Sequence, residues 1–414
     1  MALVTNALLF LMASVGMSAC YQNAVYFPSW AVYKRDYHPQ DLPAAEISHV
    51  LYAFMDVLPS GQVYTKDSYS DLERRYPTDS WTESGENAYG CVKQLFNLKK
   101  SNRGLKTLLS IGGWTQSANF PAVASTDAGR STFARSSVVL MRDWGFDGID
   151  IDWEYPDDAE ESENLALLLA AVRDELDAYA SQHAPGYRFL LTIASSAGKA
   201  HYENLDLKRI SGLVDVFYLM GYDYSGPFAS HAAHQANLYA NAAKSTTTPF
   251  STDAAIAAYL EAGVPAAQIV LGMPLFGRAF QNTAGLGEPF CGVGRGSWDD
   301  GSMEDSGAWD YKALPRPGAE VMYDDTAVAS FSYDAQARTL ISYDTPRTLK
   351  TKASYVRDKG LGGAMFWEAS GDRTDGDSLI TTSREFGAST SAFHICNVNA
   401  HCDAPTSISN WGRA

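Results

Sequence analysis

A chain of 414 residues, 46% of them hydrophobic, can bury a sizeable core, and either one large barrel or two ordinary domains would fit that length. A formal net charge of −16 speaks against nucleic acid or an anionic membrane surface as a partner. The 9 Trp and 23 Tyr supply flat apolar faces with a polar handle, which suits a neutral sugar as well as an aromatic core.

In chain order, the first element is the apolar run ALLFLMASVGMSA, residues 7–19, which ends in small residues. It is too short to cross a bilayer and has the shape of a signal-peptide core, although no Lys or Arg precedes it. Residues 1–19 are therefore expected to be a signal peptide and the protein to be secreted, with a cytoplasmic location as the alternative. No later stretch looks transmembrane.

Short apolar runs then recur at regular spacing: NAVYF 23–27, HVLYAFMDV 49–57, LKTLLSIGG 105–113, GIDIDWEY 148–155, RFLLTIASSA 188–197, DVFYLMGYDY 215–224, IVLGMPLFG 269–277 and GGAMFWEAS 362–370. Helical patterns lie between most of them. The clearest spans 163–184, where Leu165, Leu168, Leu169, Val172 and Leu176 repeat at three-to-four spacing; another spans 253–263 and is ended by Gly263 and Pro265. Eight strands alternating with helices predict an α/β chain folded as a (β/α)8 TIM barrel. A doubly wound sheet is the competitor, but its glycine-rich first turn is missing from FPSWAVY, residues 27–33.

One connection is too long for a barrel loop. Between strands seven and eight lie strand-like pieces at 320–325, 329–335 and 339–344, so an inserted α+β subdomain is expected over 280–345, followed by a helix at 349–360. The barrel would then comprise 20–279 and 346–390, and 391–414 would be a short Ser/Ala/Asn-rich tail. Cys20, Cys91, Cys291, Cys396 and Cys402 are too scattered for a zinc site, although Cys396 and Cys402 could close a small loop.

The chemistry concentrates in GFDGIDIDWEYPDD, residues 145–158. Side chains two apart on a strand share a face, so Asp150, Asp152 and Glu154 would stack on one side. Three carboxylates facing a barrel interior raise one another's pKa, an unfavourable arrangement that points to function more than to structure. A metal site is the weaker reading, because neither calcium-loop spacing nor a His-rich partner segment is present; no metal and no cofactor are expected. In acid/base catalysis Glu154, nearest the carboxyl end of the strand, meets the substrate, because barrel active sites lie on that face.

DGIDIDWE also resembles the DxxDxDxE signature of the chitinases of glycoside hydrolase family 18, with Asp147, Asp150, Asp152 and Glu154 filling every acidic place. SIGGW 110–114, with Gly113 and Trp114, resembles the family's SxGG motif. YAF 52–54, MGYDY 220–224, GMPLFGRAF 272–280 and GGAMFWE 362–368 extend the likeness in barrel order over about 24–385. The likeness is greatest to secreted fungal chitinases of the bacterial-type subgroup, whose inserted subdomain walls one side of the cleft.

The resemblance implies retaining, substrate-assisted cleavage of β-1,4-linked N-acetylglucosamine in chitin or chitooligosaccharides by a monomer. Glu154 would be the acid, Asp152 would hold the acetamido group, Asp150 would support Asp152, and Tyr222 would donate to the acetamido oxygen. Trp367 would form the floor under the reacting sugar. Tyr26, Phe54, Gly113, Trp114, Tyr155, Met220, Asp223 and Arg278 would line the subsites, and Trp298, Trp309 and Tyr311 are candidate sugar contacts from the insertion. Phe276 departs from the pattern, which commonly has Tyr there. Two alternatives are a chitin-binding lectin, which usually lacks the acid, and an endo-β-N-acetylglucosaminidase on N-glycans, which usually lacks the insertion.

Overall fold

The apolar runs become eight parallel strands: β1 (Gln22–Pro28), β2 (His49–Val57), β3 (Lys106–Gly112), β4 (Gly148–Asp152), β5 (Leu190–Ser196), β6 (Val216–Met220), β7 (Ile269–Pro274) and β8 (Gly363–Trp367). The structure is a computed structural model that describes residues 21–85, 87–298 and 307–387. The expected signal peptide and tail, with Cys20, Cys396 and Cys402, lie outside the described residues. Hydrogen bonding runs in the strand order 1-8-7-6-5-4-3-2, and β1 also pairs with β2, so the sheet closes into a (β/α)8 barrel with no free edge.

Alternation assigns each strand residue to one of two cores. Along β1, Ala24 and Tyr26 pack inside the barrel with Leu51, Phe54, Tyr218 and Met365, whereas Val25 and Phe27 face the outer layer of helices. Along β4, Ile149 and Ile151 join the outer core, which leaves Asp150 and Asp152 on the inner side. The strand ends at Asp152, earlier than the run 148–155 predicts, and Trp153 continues the outward alternation, stacking on Phe120 at 5.5 Å.

The long helix covering β4 begins at Ala159, ahead of the expected 163, because the Asp158 carboxylate accepts the Glu161 N–H at 2.9 Å and caps it. Its Leu165, Leu168, Leu169, Val172 and Leu176 are all buried, each contributing about 1.5–3 kcal/mol. Helices Thr252–Glu261 and Pro346–Asp358 occupy the other two expected helical stretches.

Beyond β7 a second sheet forms, antiparallel, in the order Ala308–Asp310, Phe276–Phe280, Thr339–Ser342, Ala329–Asp334, Glu320–Asp324. It begins at Phe276, inside the run read as strand seven, so the boundary expected at 280 falls within a strand. Leu275 divides the two sheets: its N–H donates to Trp367 O at 2.7 Å on the barrel side, and its carbonyl accepts from Tyr311 N at 2.9 Å on the other. The break places Phe276 and Arg278 on the subdomain sheet, close to the carboxyl ends of the barrel strands.

Candidate active site

Two acids of β4 and a third just past its end arrive at different depths. Register places Ser110 of β3 and Thr192 of β5 beside Asp150 of β4. The Asp150 carboxylate accepts from Thr192 Oγ1 at 2.6 Å, Ser110 Oγ at 2.7 Å and Tyr26 OH at 2.9 Å. Burial raises its pKa, and the three hydroxyl donors pull in the opposite direction.

Asp152, one pleat nearer the mouth, has no such support. It is buried, yet its Oδ1 has no hydrogen-bond partner among the described residues. Burial, followed by the charges of Glu154 and Asp150, pushes its pKa well above the usual carboxylate range. A buried acceptor without a donor costs about 1–3 kcal/mol, so a site that keeps one is shaped for a donor brought by a ligand.

Glu154 follows the end of the strand and is half-buried. Its pKa is pushed up to about 7, by burial first and also by the Asp223 charge, against hydrogen bonding from Tyr155 and from the Trp114 backbone N–H. Around neutrality it is therefore poised to give or take a proton.

The turn after β3 that reaches this acid requires glycine twice. Gly112 has φ +112°, and a Cβ there would stand 2.1 Å from the Asp152 carbonyl oxygen. Gly113 has φ +86°, and its Cβ would enter the Phe54 ring at 2.6 Å. The motif SIGGW thus lets the turn lie against β4, where Gly113 N–H donates to Asp152 O at 2.8 Å.

Aromatic residues form one wall. Trp367 lies 5.3 Å from Tyr26 and stacks on Phe54 at 5.7 Å, with Tyr222 packed into the same cluster. Burial and the surrounding acids, Asp152 first, hold the Tyr222 phenol well above its ordinary pKa. It stays a neutral donor, and its hydroxyl has no hydrogen bond within the described residues. Tyr222 meets Phe276 edge to face at 6.0 Å.

Asp223, in the left-handed region at φ +58°, accepts both Arg278 Nε at 2.7 Å and Arg278 Nη2 at 3.0 Å. That fork joins the end of β6 to the subdomain sheet. Met220 is half-buried at the end of β6, Trp114 is 62% exposed at the rim, and Tyr155 stacks on His201 at 4.1 Å. Three peptide bonds that do not precede proline, Ala53–Phe54, Glu154–Tyr155 and Trp367–Glu368, are cis, all at this end of the barrel.

The insertion residues divide. Trp298 lines the hollow beside Trp367, Phe276 and Arg278, and its Nε1 donates to Asp310 at 2.6 Å. Tyr311 is buried and donates to Asp377 O at 2.9 Å, so it belongs to the core and is no sugar contact. Trp309 packs on the same core under Arg316, 4.1 Å away.

Sequence reasoning did not single out Ser110, Thr192 or Ser117 as site residues. Hydroxyl residues carry no periodicity of their own, and only cross-strand register could have exposed the first two. Among the described residues, no group of three or more His, Cys, Asp or Glu is arranged to hold a metal ion, and no helix is long and apolar enough to cross a membrane.

Residues 22–372 match the glycosyl hydrolases family 18. An endochitinase from Metarhizium robertsii is 56% identical over 363 residues, covering 88% of this chain and 84% of the relative. A chitinase from Aphanocladium album is 54% identical over 365 residues, covering 88% and 85%. Among solved structures, a chitinase from Bacillus thuringiensis superposes with a TM-score of 0.83 at 32% identity, covering 89% of this chain and 70% of the other. With the match spanning most of the chain and relatives more than half identical, this protein belongs to glycosyl hydrolase family 18.

Proposed function

We propose that the protein is a secreted chitinase that hydrolyses β-1,4-N-acetylglucosamine linkages with retention, using the substrate's own acetamido group as nucleophile. One observation carries the mechanism: the Oδ1 of buried Asp152, without a hydrogen-bond partner among the described residues, beside a half-buried Glu154. An acetamido N–H is the kind of donor that Asp152 lacks. A sugar resting on Trp367 with its acetamido group turned toward Asp152 would present its glycosidic oxygen to Glu154.

In the first step Glu154 protonates the leaving oxygen while the acetamido carbonyl oxygen attacks the anomeric carbon. Asp152 accepts the acetamido N–H and balances the charge that grows on its nitrogen, and the Tyr222 hydroxyl donates to the acetamido oxygen. The new ring is an oxazolinium ion. In the second step Glu154, now a carboxylate, takes a proton from water as the water opens that ring from the opposite face. Two inversions give net retention. Asp150, satisfied by three hydroxyls, supports Asp152 from below, and the Arg278–Asp223 fork holds the side of the pocket.

A lectin would have no need of an acid with a pKa near 7, and relatives acting on N-glycans usually lack the second sheet. The test is product NMR on chitotetraose within the first minutes, run beside a high-mannose glycoprotein. The initial product should be the β-anomer, the glycoprotein should stay intact, and fully deacetylated oligosaccharides should bind without being cut. An initial α-anomer would overturn the mechanism, and release of glycan alone would overturn the substrate.

A further inference from the structure

The catalytic acid is held by more than its own strand. The Glu154 backbone N–H donates to Ser117 Oγ at 2.9 Å, and that hydroxyl donates onward to Gly113 O at 2.9 Å. The carbonyl of Gly113 belongs to the same peptide unit as the N–H of Trp114, a group that favours the ionised form of Glu154. These bonds tie the acid's main chain through Ser117 to the Gly113–Trp114 peptide. Ser117 is buried and also lies 3.4 Å from Asp152 O, so it stands between the two acids without facing solvent.

We infer that Ser117 is a positioning residue for the general acid, fixing both where Glu154 sits and how its ionised form is stabilised. The inference rests on the chitinase reading above and adds a residue to it. With one proton and accepting lone pairs, the hydroxyl does both jobs at once, donating to Gly113 O and accepting the Glu154 N–H. Each bond in such a chain polarises the next, so the Trp114 N–H is a better donor while Gly113 O is engaged. No other side chain at this position of the turn Trp114–Asn119 does the same unless it carries a hydroxyl.

Removing that hydroxyl has two consequences of different kinds. The acid's backbone loses its partner, and displacements on the order of 1 Å in such groups cost ~100-fold in rate. The Gly113–Trp114 peptide is also freed to turn, which weakens a donor that favours the carboxylate, so the pKa of Glu154 should rise. Because Glu154 must be protonated to act first, the alkaline limb of kcat should move to higher pH.

The experiment measures kcat, KM and their pH profiles on chitotetraose for wild type, Ser117→Ala, Ser117→Cys and Ser117→Thr, with Tm for each. Ser117→Ala should lose ~10-fold to 100-fold in kcat with a much smaller change in KM, and its alkaline limb should shift upward. Ser117→Thr, which keeps the hydroxyl, should restore most of the lost rate and return the limb. Ser117→Cys, close in size but a weak donor, should behave like Ala, and it carries the comparison should the Ala variant not fold. A lower Tm with kcat and the alkaline limb unchanged in either the Ala or the Cys variant would overturn the proposal. An inactive wild type would instead overturn the chitinase reading on which it rests.

Discussion

β4 carries buried acids at both ends, and they are treated in opposite ways. At its entry Asp147 meets Lys99 Nζ at 2.7 Å and Lys106 Nζ at 3.7 Å, and it accepts the Thr107 N–H at 2.8 Å. Burial alone would raise its pKa, but the two lysines outweigh that and the net shift is downward. Asp215, which leads into β6 on the same side of the barrel, repeats the pattern with Arg173 at 3.2 Å and Arg188 at 2.7 Å. At the exit of β4, among the described residues, no cation offsets Asp152 and one of its oxygens lacks a partner, and Glu154 is pushed upward.

The contrast separates scaffold from chemistry within a single strand. A carboxylate whose lone pairs are met by lysines stabilises the fold and has nothing left to offer a ligand. One held in low dielectric without a counter-charge is a cost to the fold, kept where a substrate completes it. Barrels permit the arrangement because helices and loops at the other end hold the strands in register.

The contrast is tested most severely at Glu154. Glu154→Gln should lower kcat on chitotetraose by ~1000-fold or more while a fluorescence titration still registers oligosaccharide binding, because the amide keeps the shape without the proton. The sign of the stability effect follows from linkage. The folded pKa of about 7 exceeds the ordinary 4.5, so the native state binds more protons than the unfolded chain, and wild-type stability declines as pH rises through that window. The Gln variant lacks this decline, so its Tm relative to wild type should climb between those two values. A pH-independent difference in Tm would remove Glu154 from the unsatisfied set.

Asp152→Asn comes next. Its kcat should drop ~100-fold or more, since the acetamido group loses the charge that balances it. Its Tm should equal or exceed that of wild type, because a buried, unpaired acid has been neutralised; a clear loss of Tm would place Asp152 with the scaffold.

Asp147→Asn should do the reverse. Leaving two lysines beside a neutral amide should cost about 3 kcal/mol in a denaturant titration, with kcat of the folded fraction near wild type. A selective loss of activity would erase the distinction between the two ends of the strand.

The smallest effect is expected at Phe276, half-buried against Tyr222 in the hollow beside Trp367. Phe276→Tyr adds one hydroxyl toward substrate and should change KM by about two- to fivefold with Tm unchanged. Lost stability with unaltered kinetics would mean that the ring serves the subdomain core instead.

Local patterns alone determined a good deal about this protein. The two-residue spacing of Asp150, Asp152 and Glu154 and the leucines of the helix over β4 are periodicities that a strand or a helix must express wherever it lies, so the barrel and its acidic strand were legible before any contact was known. Tertiary structure decided which acids would be satisfied. Asp150 draws its three hydroxyls from β1, β3 and β5, and Asp147 draws a lysine from the helix Gly90–Ser101. The break at Leu275, which sends Phe276 and Arg278 to the second sheet, answers to hydrogen bonds that its N–H donates to Trp367 O and its carbonyl accepts from Tyr311, both on distant segments. Tyr311 went to the core by the same route, and Ser117 met the Glu154 N–H across a separation of 37 residues. Side-chain periodicity is a property of neighbours along the chain, whereas the partner of a buried polar atom is set by strand register and loop approach, which exist only once the barrel has closed.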